Sequence, residues 1–283
     1  MKKLISLTIL LAVFVTANAQ IKTPAPSPIG KFSQEVGLIK VDVEYSRPSA
    51  KGRKIFGDLV PFGQLWRTGA NASTKITVSD DAKVGGMPLP KGTYALYTIP
   101  GEKEWTIIFY KNTTLWGVPE TKDFKEEDVQ ARVTVASLPV RDFRETLTLE
   151  INNLRNNGGD LEIIWENTKV LVPIMTDTDG KVMKAIEATM AGPSASDYNA
   201  AARYYYEEKK DMAQALVWVD KAIELGGEKY WILRQKANIL AELGRYKDAI
   251  MVAEKSSELA RKDSNEDYPR MNDKSIADWS KKK

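Results

Sequence analysis

The feature that most constrains this chain is a change of side-chain periodicity close to Gly180. Before it, apolar residues recur at every second position: Ile39, Val41, Val43 and Tyr45 alternate with Lys40, Asp42 and Glu44. That is the period of a β-strand with one wet face. The alternation returns at Ile76 and Val78, at Ala131, Val133 and Val135, at Leu147, Leu149 and Ile151, and at Leu161, Ile163 and Trp165. After Gly180, Tyr198, Ala201, Ala202 and Tyr205 stand at i, i+3, i+4 and i+7, which is one face of an α-helix. Neither pattern suits the other geometry, so the chain reads as a sheet domain followed by a helical domain.

Two segments of the first part, 94–99 and 105–110, are apolar on both faces and are joined by Pro100-Gly101-Glu102-Lys103. Such a hairpin belongs at the centre of a sheet or under a second layer. Asn156-Asn157-Gly158-Gly159-Asp160 is a hairpin turn built from residues that tolerate positive φ. With residues 170–175, the set comes to roughly nine strands at turn spacing, which predicts an antiparallel β-sandwich or barrel-like domain over 36–176. Residues 20–35, with several prolines, read as an extended lead-in.

In the second part, Ser194, Ser196 and Asp197 are N-cap candidates for the first stripe, and Gly226-Gly227 ends a second stripe through Ala215, Leu216, Val219, Ala222 and Ile223. That stripe repeats: Ala215-Leu216, Ala222 and Glu224-Leu225 recur 34 residues later as Ala249-Ile250, Ser256 and Glu258-Leu259. A 34-residue helix-turn-helix period resembles the tetratricopeptide repeat, and residues 244–250 look like its inter-helix turn. Arg203 at a small-residue position, Lys236 and Ala253 at large apolar positions, and the lack of a closing proline depart from that pattern. The expectation is a degenerate α-helical hairpin pair within 181–283, packed on flanking helices at 181–190 and 274–279. Asp177-Thr178-Asp179-Gly180 lacks the ligand spacing of a calcium loop and reads as an interdomain turn.

Met1-Lys2-Lys3, an apolar run over 4–15 and Ala17-Asn18-Ala19 have the form of a secretory signal peptide, residues 1–19, with the mature chain starting at Gln20. The run is shorter than the roughly 20 residues that span a bilayer, and no later stretch approaches that length. The expected address is therefore the periplasm or cell surface, with no transmembrane anchor after cleavage. Without Lys2 and Lys3, 39 basic residues face 38 acidic ones, which gives no long-range pull toward nucleic acid. The chain has no Cys and no His. Disulfides, thiolate nucleophiles, Ser-His and Cys-His pairs and imidazole-based zinc sites are all excluded.

One long stretch carries a family resemblance: Tyr45-Ser46-Arg47-Pro48, Lys51-Gly52-Arg53, Ile55-Phe56-Gly57, Leu59-Val60-Pro61 and Trp66-Arg67-Thr68-Gly69-Ala70-Asn71, continued by Leu89-Pro90-Lys91-Gly92-Thr93-Tyr94 and Trp105-Thr106-Ile107-Ile108-Phe109. It is very similar to the hallmark run of domain of unknown function 2911, a bacterial exported family, over roughly 28–174. The resemblance supports the domain division and implies repeat-like helices at the C-terminus. It supplies neither an activity nor catalytic residues.

The chemistry on offer is anion binding. Arg47, Lys51, Arg53 and Lys54 crowd one loop, and Arg67 follows in the Trp66–Asn71 run. Guanidinium groups fork onto carboxylates or phosphates, and Gly52, Gly57 and Gly69 would let backbone N–H groups approach the same anion. The competing reading is that these arginines tie the loop to buried carbonyls or to Asp42, Glu44 or Asp58. Trp66 and Trp116, beside turn residues, are candidates for stacking on a sugar, whereas Trp105 and Trp165 alternate with core residues. The pairs Asp80-Asp81 and Glu126-Glu127-Asp128 read as solvated carboxylates, not as an acid and base. Phosphate-cradling motifs are absent.

These readings converge on an exported envelope protein of unspecified activity, a non-enzymatic module that binds a protein or peptide through its helical repeats, with no cofactor and no metal. The alternative is a module that binds a glycan or small anion, or an enzyme acting on glycan, through Arg47, Lys51, Arg53, Trp66, Arg67, Asn71 and Trp116. A third reading is an assembly component with no small ligand.

Overall fold

A computed structural model describes residues 23–120, 122–189 and 192–282. Residues 1–19, read from sequence as a signal peptide, and the first residues of the expected lead-in lie outside that set. The chain divides into two compact units, between Asp177 and Thr178.

The first unit consists of β1 (Ile29–Val36), β2 (Ile39–Ser46), β3 (Thr74–Val78), β4 (Ala82–Val84), β5 (Met87–Leu89), β6 (Gly92–Ile99), β7 (Glu104–Tyr110), β8 (Val129–Arg155) and β9 (Gly158–Thr176). All pair antiparallel, in the order β1-β2-β3-β6-β7-β8-β9-β4-β5. The expected α+β order, sheet then helices, is therefore what the chain adopts. The strands 131–135 and 147–151 of the sequence reading are one strand, β8, whose first part pairs with β7 and whose second part pairs with β9. Residues 161–165 and 170–175 likewise merge into β9. The β8–β9 ladder breaks register between Pro139 and Arg144 and again before Thr148, and Glu166 opposite the break has φ +50°. At this corner the hairpin folds over, and Thr176 N–H at the end of β9 donates to Asn157 O in the turn that begins it (2.8 Å).

The folding-over gives the unit one core with contributions from every strand. Phe56, Trp66, Trp105 and Trp165 sit at its centre, with Trp66 stacked on Trp165 at 5.9 Å and Phe56 edge-on to Trp105 at 4.8 Å. Tyr45 crosses from β2 to β8: its hydroxyl donates to Leu149 O (3.3 Å) and accepts from Leu149 N–H (2.9 Å).

The β6–β7 hairpin is buried on both faces, as its composition requires. Leu96, Trp105, Ile107 and Phe109 face the main core. Ala95, Tyr97, Ile108 and Tyr110 face outward beneath Leu65, Leu115 and Phe124. The second layer is a loop: Phe124 stacks on Tyr110 at 4.7 Å, and Lys125 N–H donates to the Tyr110 hydroxyl (2.9 Å).

Two corrections concern strands. Residues assigned to the extended lead-in include β1, which pairs with β2 along its whole length. Its residues alternate between exposed and half-buried with only Val36 fully buried, and the sequence IGKFSQEV carries no matching alternation of apolar residues. The short β4–β5 hairpin turns through Gly85 (φ +51°) and Gly86 (φ +86°), where side chains would be strained.

The second unit comprises α1 (Thr178–Thr189), α2 (Ala195–Glu207), α3 (Met212–Gly226), α4 (Tyr230–Glu242), α5 (Tyr246–Lys262) and α6 (Asp267–Trp279). Ser194 caps α2 in a reciprocal box with Asp197, and Asp211 caps α3 by accepting from Gln214 N–H (3.0 Å). Gly227 (φ +75°) closes α3. α3 and α5 begin 34 residues apart, and their equivalent positions are all buried: Ala215 and Ala249, Val219 and Ala253, Ala222 and Ser256. α2 stands 35 residues before α4, so Ala202, fully buried, occupies the small-residue position equivalent to Ala237, and Arg203 turns to solvent. Lys236, at a position expected to be apolar, pairs with Asp220 at 2.7 Å. Asp179 and Gly180 are not a turn between units but the first turn of α1. There Asp179 accepts from Tyr204 (2.9 Å) and pairs with Lys210 (2.6 Å).

Candidate functional site

The segment after β2 follows the edge of β8. Leu147 N–H donates to Pro48 O (2.9 Å) and Ala50 N–H to Glu145 O (2.7 Å), which pairs Ser49 with Thr146. Beyond this bridge the loop turns inward and buries Ile55, Phe56 and Val60 in the main core. The Glu166 carboxylate accepts the N–H groups of Ile55 (2.8 Å) and Phe56 (3.3 Å). The loop is thus part of the core's wall, and its polar side chains serve to hold it there.

That accounts for two of the arginines offered to an anion. Arg47 Nε donates to Leu147 O and its Nη2 to Thr148 Oγ1, both at 3.2 Å. Arg53 donates to Ala50 O (2.9 Å) and Ser49 O (2.8 Å). Guanidinium groups engaged by backbone carbonyls tie the loop down, the second of the two alternatives. Lys51 is exposed and in the left-handed region (φ +52°), where its N–H donates to the Glu145 carboxylate (2.8 Å). Lys54 is exposed.

Trp66 is core, 6% exposed, with Nε1 donating to Gly69 O (3.1 Å). Stacking a sugar on it would require opening the aromatic cluster. Trp116, 76% exposed, stands alone of the candidates on the loop before β8. Asn71 (φ +60°) donates to Ser46 Oγ (3.3 Å). The candidate residues therefore do not meet in one pocket. A recess on the outer face of β1–β3 and β6 is lined by other residues, among them Lys31, Asp42, Glu44 and Lys75.

Arg67 is different. It is half-buried, its Nε is shut off from solvent, and no hydrogen-bond partner for that atom exists among the described residues. Ser73 and Tyr97, neither of them legible from sequence as site residues, share that condition through their hydroxyls. The one sequence signal for Tyr97 was a phenol in a hairpin apolar on both faces; Ser73 gave none.

The helical unit holds a second uncompensated guanidinium. Arg234 of α4 is half-buried and donates through Nη1 to Asn272 Oδ1 of α6 (2.6 Å). Asn272 is fully buried and donates in turn to Ala253 O (3.1 Å), Ser256 Oγ and Ser257 Oγ (3.0 Å each), so the arginine is aimed by a fixed group. Burial pulls Arg234 below the ordinary arginine range, while Tyr206 of α2 and Tyr268 of α6 act against the fall. No carboxylate pairs with it among the described residues. Sequence gave no signal for this arrangement, because Arg234 and Asn272 stand 38 residues apart on different helices.

Among the described residues no three carboxylates gather as a metal site, and no helix is long and apolar enough to cross a membrane. The family model described as protein of unknown function, DUF2911, matches residues 27–174, just over half of the chain. No curated protein and no solved structure matches it.

Proposed function

This chain belongs to the DUF2911 family of proteins of unknown function, and from that premise we propose that it is an exported, non-enzymatic binding protein of the bacterial envelope. Its helical unit would grip a protein segment by an acidic group. Support for export is the basic, apolar and small-residue order of residues 1–19. Support for a binding unit is the pair of helical hairpins at a 34-residue offset, which resembles tetratricopeptide repeats, a class that binds through an extended concave face.

Arg234 carries the proposal. A charge withdrawn even partly from water is costly unless it is paired, and half-buried Arg234 has a single neutral acceptor among the described residues, which leaves most of its N–H donors open to a partner. A carboxylate from a partner would complete it, and Tyr206 and Tyr268 beside it supply aromatic surface for the flanking chain. The test is fluorescence anisotropy of labelled acidic peptides, with amide-neutralised counterparts as controls. Binding should fall at least tenfold in an Arg234→Gln variant whose melting temperature is unchanged, as expected for about 1.5–3 kcal/mol from a charged hydrogen bond. Equal binding by the variant, or by the neutralised peptides, defeats the proposal.

A further inference from the structure

The excursion between β2 and β3 rejoins the sheet at two points on β6. Trp66 bridges Thr98, with N–H···O distances of 2.7 and 2.8 Å in the two directions, and Thr74 pairs with Leu96. These two points bring Arg67 and Ser73 alongside Tyr97. Leu65 packs with Tyr97 on the outer face of the sheet and Trp66 packs in the main core, so alternation returns Arg67 to the outer side.

Most polar groups of the excursion are engaged. Thr68 donates to Thr98 Oγ1 (3.1 Å), Thr74 Oγ1 to Thr68 O (2.7 Å), Trp66 Nε1 to Gly69 O and Asn71 to Ser46 Oγ. Thr74 N–H closes the loop on Arg67 O (3.2 Å). This closure is held despite left-handed backbone at Thr68 (φ +54°) and Asn71 (φ +60°), a strain that persists only where the surroundings enforce it. What the loop leaves over lies on one face: Arg67 Nε, Ser73 Oγ and Tyr97 OH are buried without a well-formed hydrogen bond among the described residues, while Ser73 lies close enough to Tyr97 to act against the burial that pushes its phenol up. Tyr97 is fully buried and Ser73 is 4% exposed. Among the described residues no carboxylate pairs with Arg67.

Buried polar groups without partners are rare in folded proteins and call for a reason. Here the three are a cation and two hydroxyls, all able to donate, with no anion beside them. The complementary ligand is an oxyanion, one oxygen facing the guanidinium and another the hydroxyls. We infer that Arg67, Ser73 and Tyr97 form a binding site for a small oxyanion, the carboxylate or phosphate of a small molecule. The site is separate from the helical unit and does not depend on the function proposed for it. Arg47, Lys51 and Arg53, which sequence grouped with Arg67, are not part of it.

The test is calorimetric titration of the purified full-length chain with inorganic phosphate, acetate and galacturonate, each paired with a thermal melt. Saturable binding of at least one is expected. Phosphate as the tightest points to a phosphorylated ligand, and galacturonate to an acidic sugar. Arg67→Gln and Tyr97→Phe should each weaken binding at least tenfold, Arg67→Lys less, and Lys54→Gln, which removes an exposed charge nearby in sequence, not at all. Should Tyr97→Phe fail to fold, the arginine pair decides. If none of the three anions binds the folded chain, or Arg67→Gln binds as tightly as the parent, the inference is overturned and the hydroxyls are served by water alone.

Discussion

The two units differ in the residues that stand at the closest contacts of their interiors. The sheet unit interlocks Phe56, Trp66, Trp105 and Trp165, brought together from four separate parts of the chain. The helical unit uses Ala202, Ala215, Ala222, Ala237, Ala249, Ala253 and Ala260 at its helix contacts. Layers of sheet stand about 10 Å apart and leave room for large side chains, whereas helices crossing at 8–10 Å between axes need small ones at the contact. The sheet unit should therefore be sensitive to lost atoms and the helical unit to added ones.

The strongest way to break that contrast is Trp165→Ala. It removes a ring from the centre of the cluster and takes from Glu145 O one of its two donors, leaving Ala50 N–H as the other. The expected cost is about 3–5 kcal/mol, read as an early loss of tryptophan fluorescence in urea, while helical circular dichroism at 222 nm follows the parent. A single shared transition would show that the units do not fold independently. Ala249→Leu works in the other direction. Ala249 is fully buried between helices, so the added atoms should cost about 1–3 kcal/mol and move the helical transition only. A neutral result would mean that the packing of α5 has slack.

The smallest effect concerns charge. Arg155 holds the Asp160 carboxyl below the usual carboxylate range, with Asn153 assisting and burial opposing. A depressed folded value means that the pair stabilises above the unfolded value of about 3.9 and that this share is lost as pH falls through the folded value. Asp160→Asn should cost about 0.2–1 kcal/mol at pH 7 and less at pH 2, measured by urea melts at the two values. A pH-independent difference would assign the effect to packing in the β8–β9 turn.

The same contrast governs what sequence reveals. Ala215 and Ala249 can be matched on paper because each helix meets its neighbour within one repeat, so local period and packing coincide. In the sheet unit, β2, β6 and β7 were legible from alternation or from apolar composition on both faces. β1 was not, because an edge strand needs hydrogen bonds from β2 more than buried side chains. The continuity of β8 was hidden as well: residues 139–146 lie at the corner, are largely exposed and carry no alternation. Arg47, Arg53 and Arg67 look alike in a sequence. Their roles diverge because carbonyls of Leu147, Ala50 and Ser49 lie within reach of the first two and none lies within reach of Arg67 Nε.

The sequence by itself determined the order of a strand region and a helical region, the exclusion of cysteine and histidine chemistry, and the family over residues 27–174. Each follows from composition, local period or a contiguous motif. Only the tertiary structure decided which cations are engaged and which stand uncompensated, at Arg67 and Arg234. Whether a guanidinium is satisfied depends on carbonyls and carboxylates that reach it from distant parts of the chain, and residue spacing does not encode their positions.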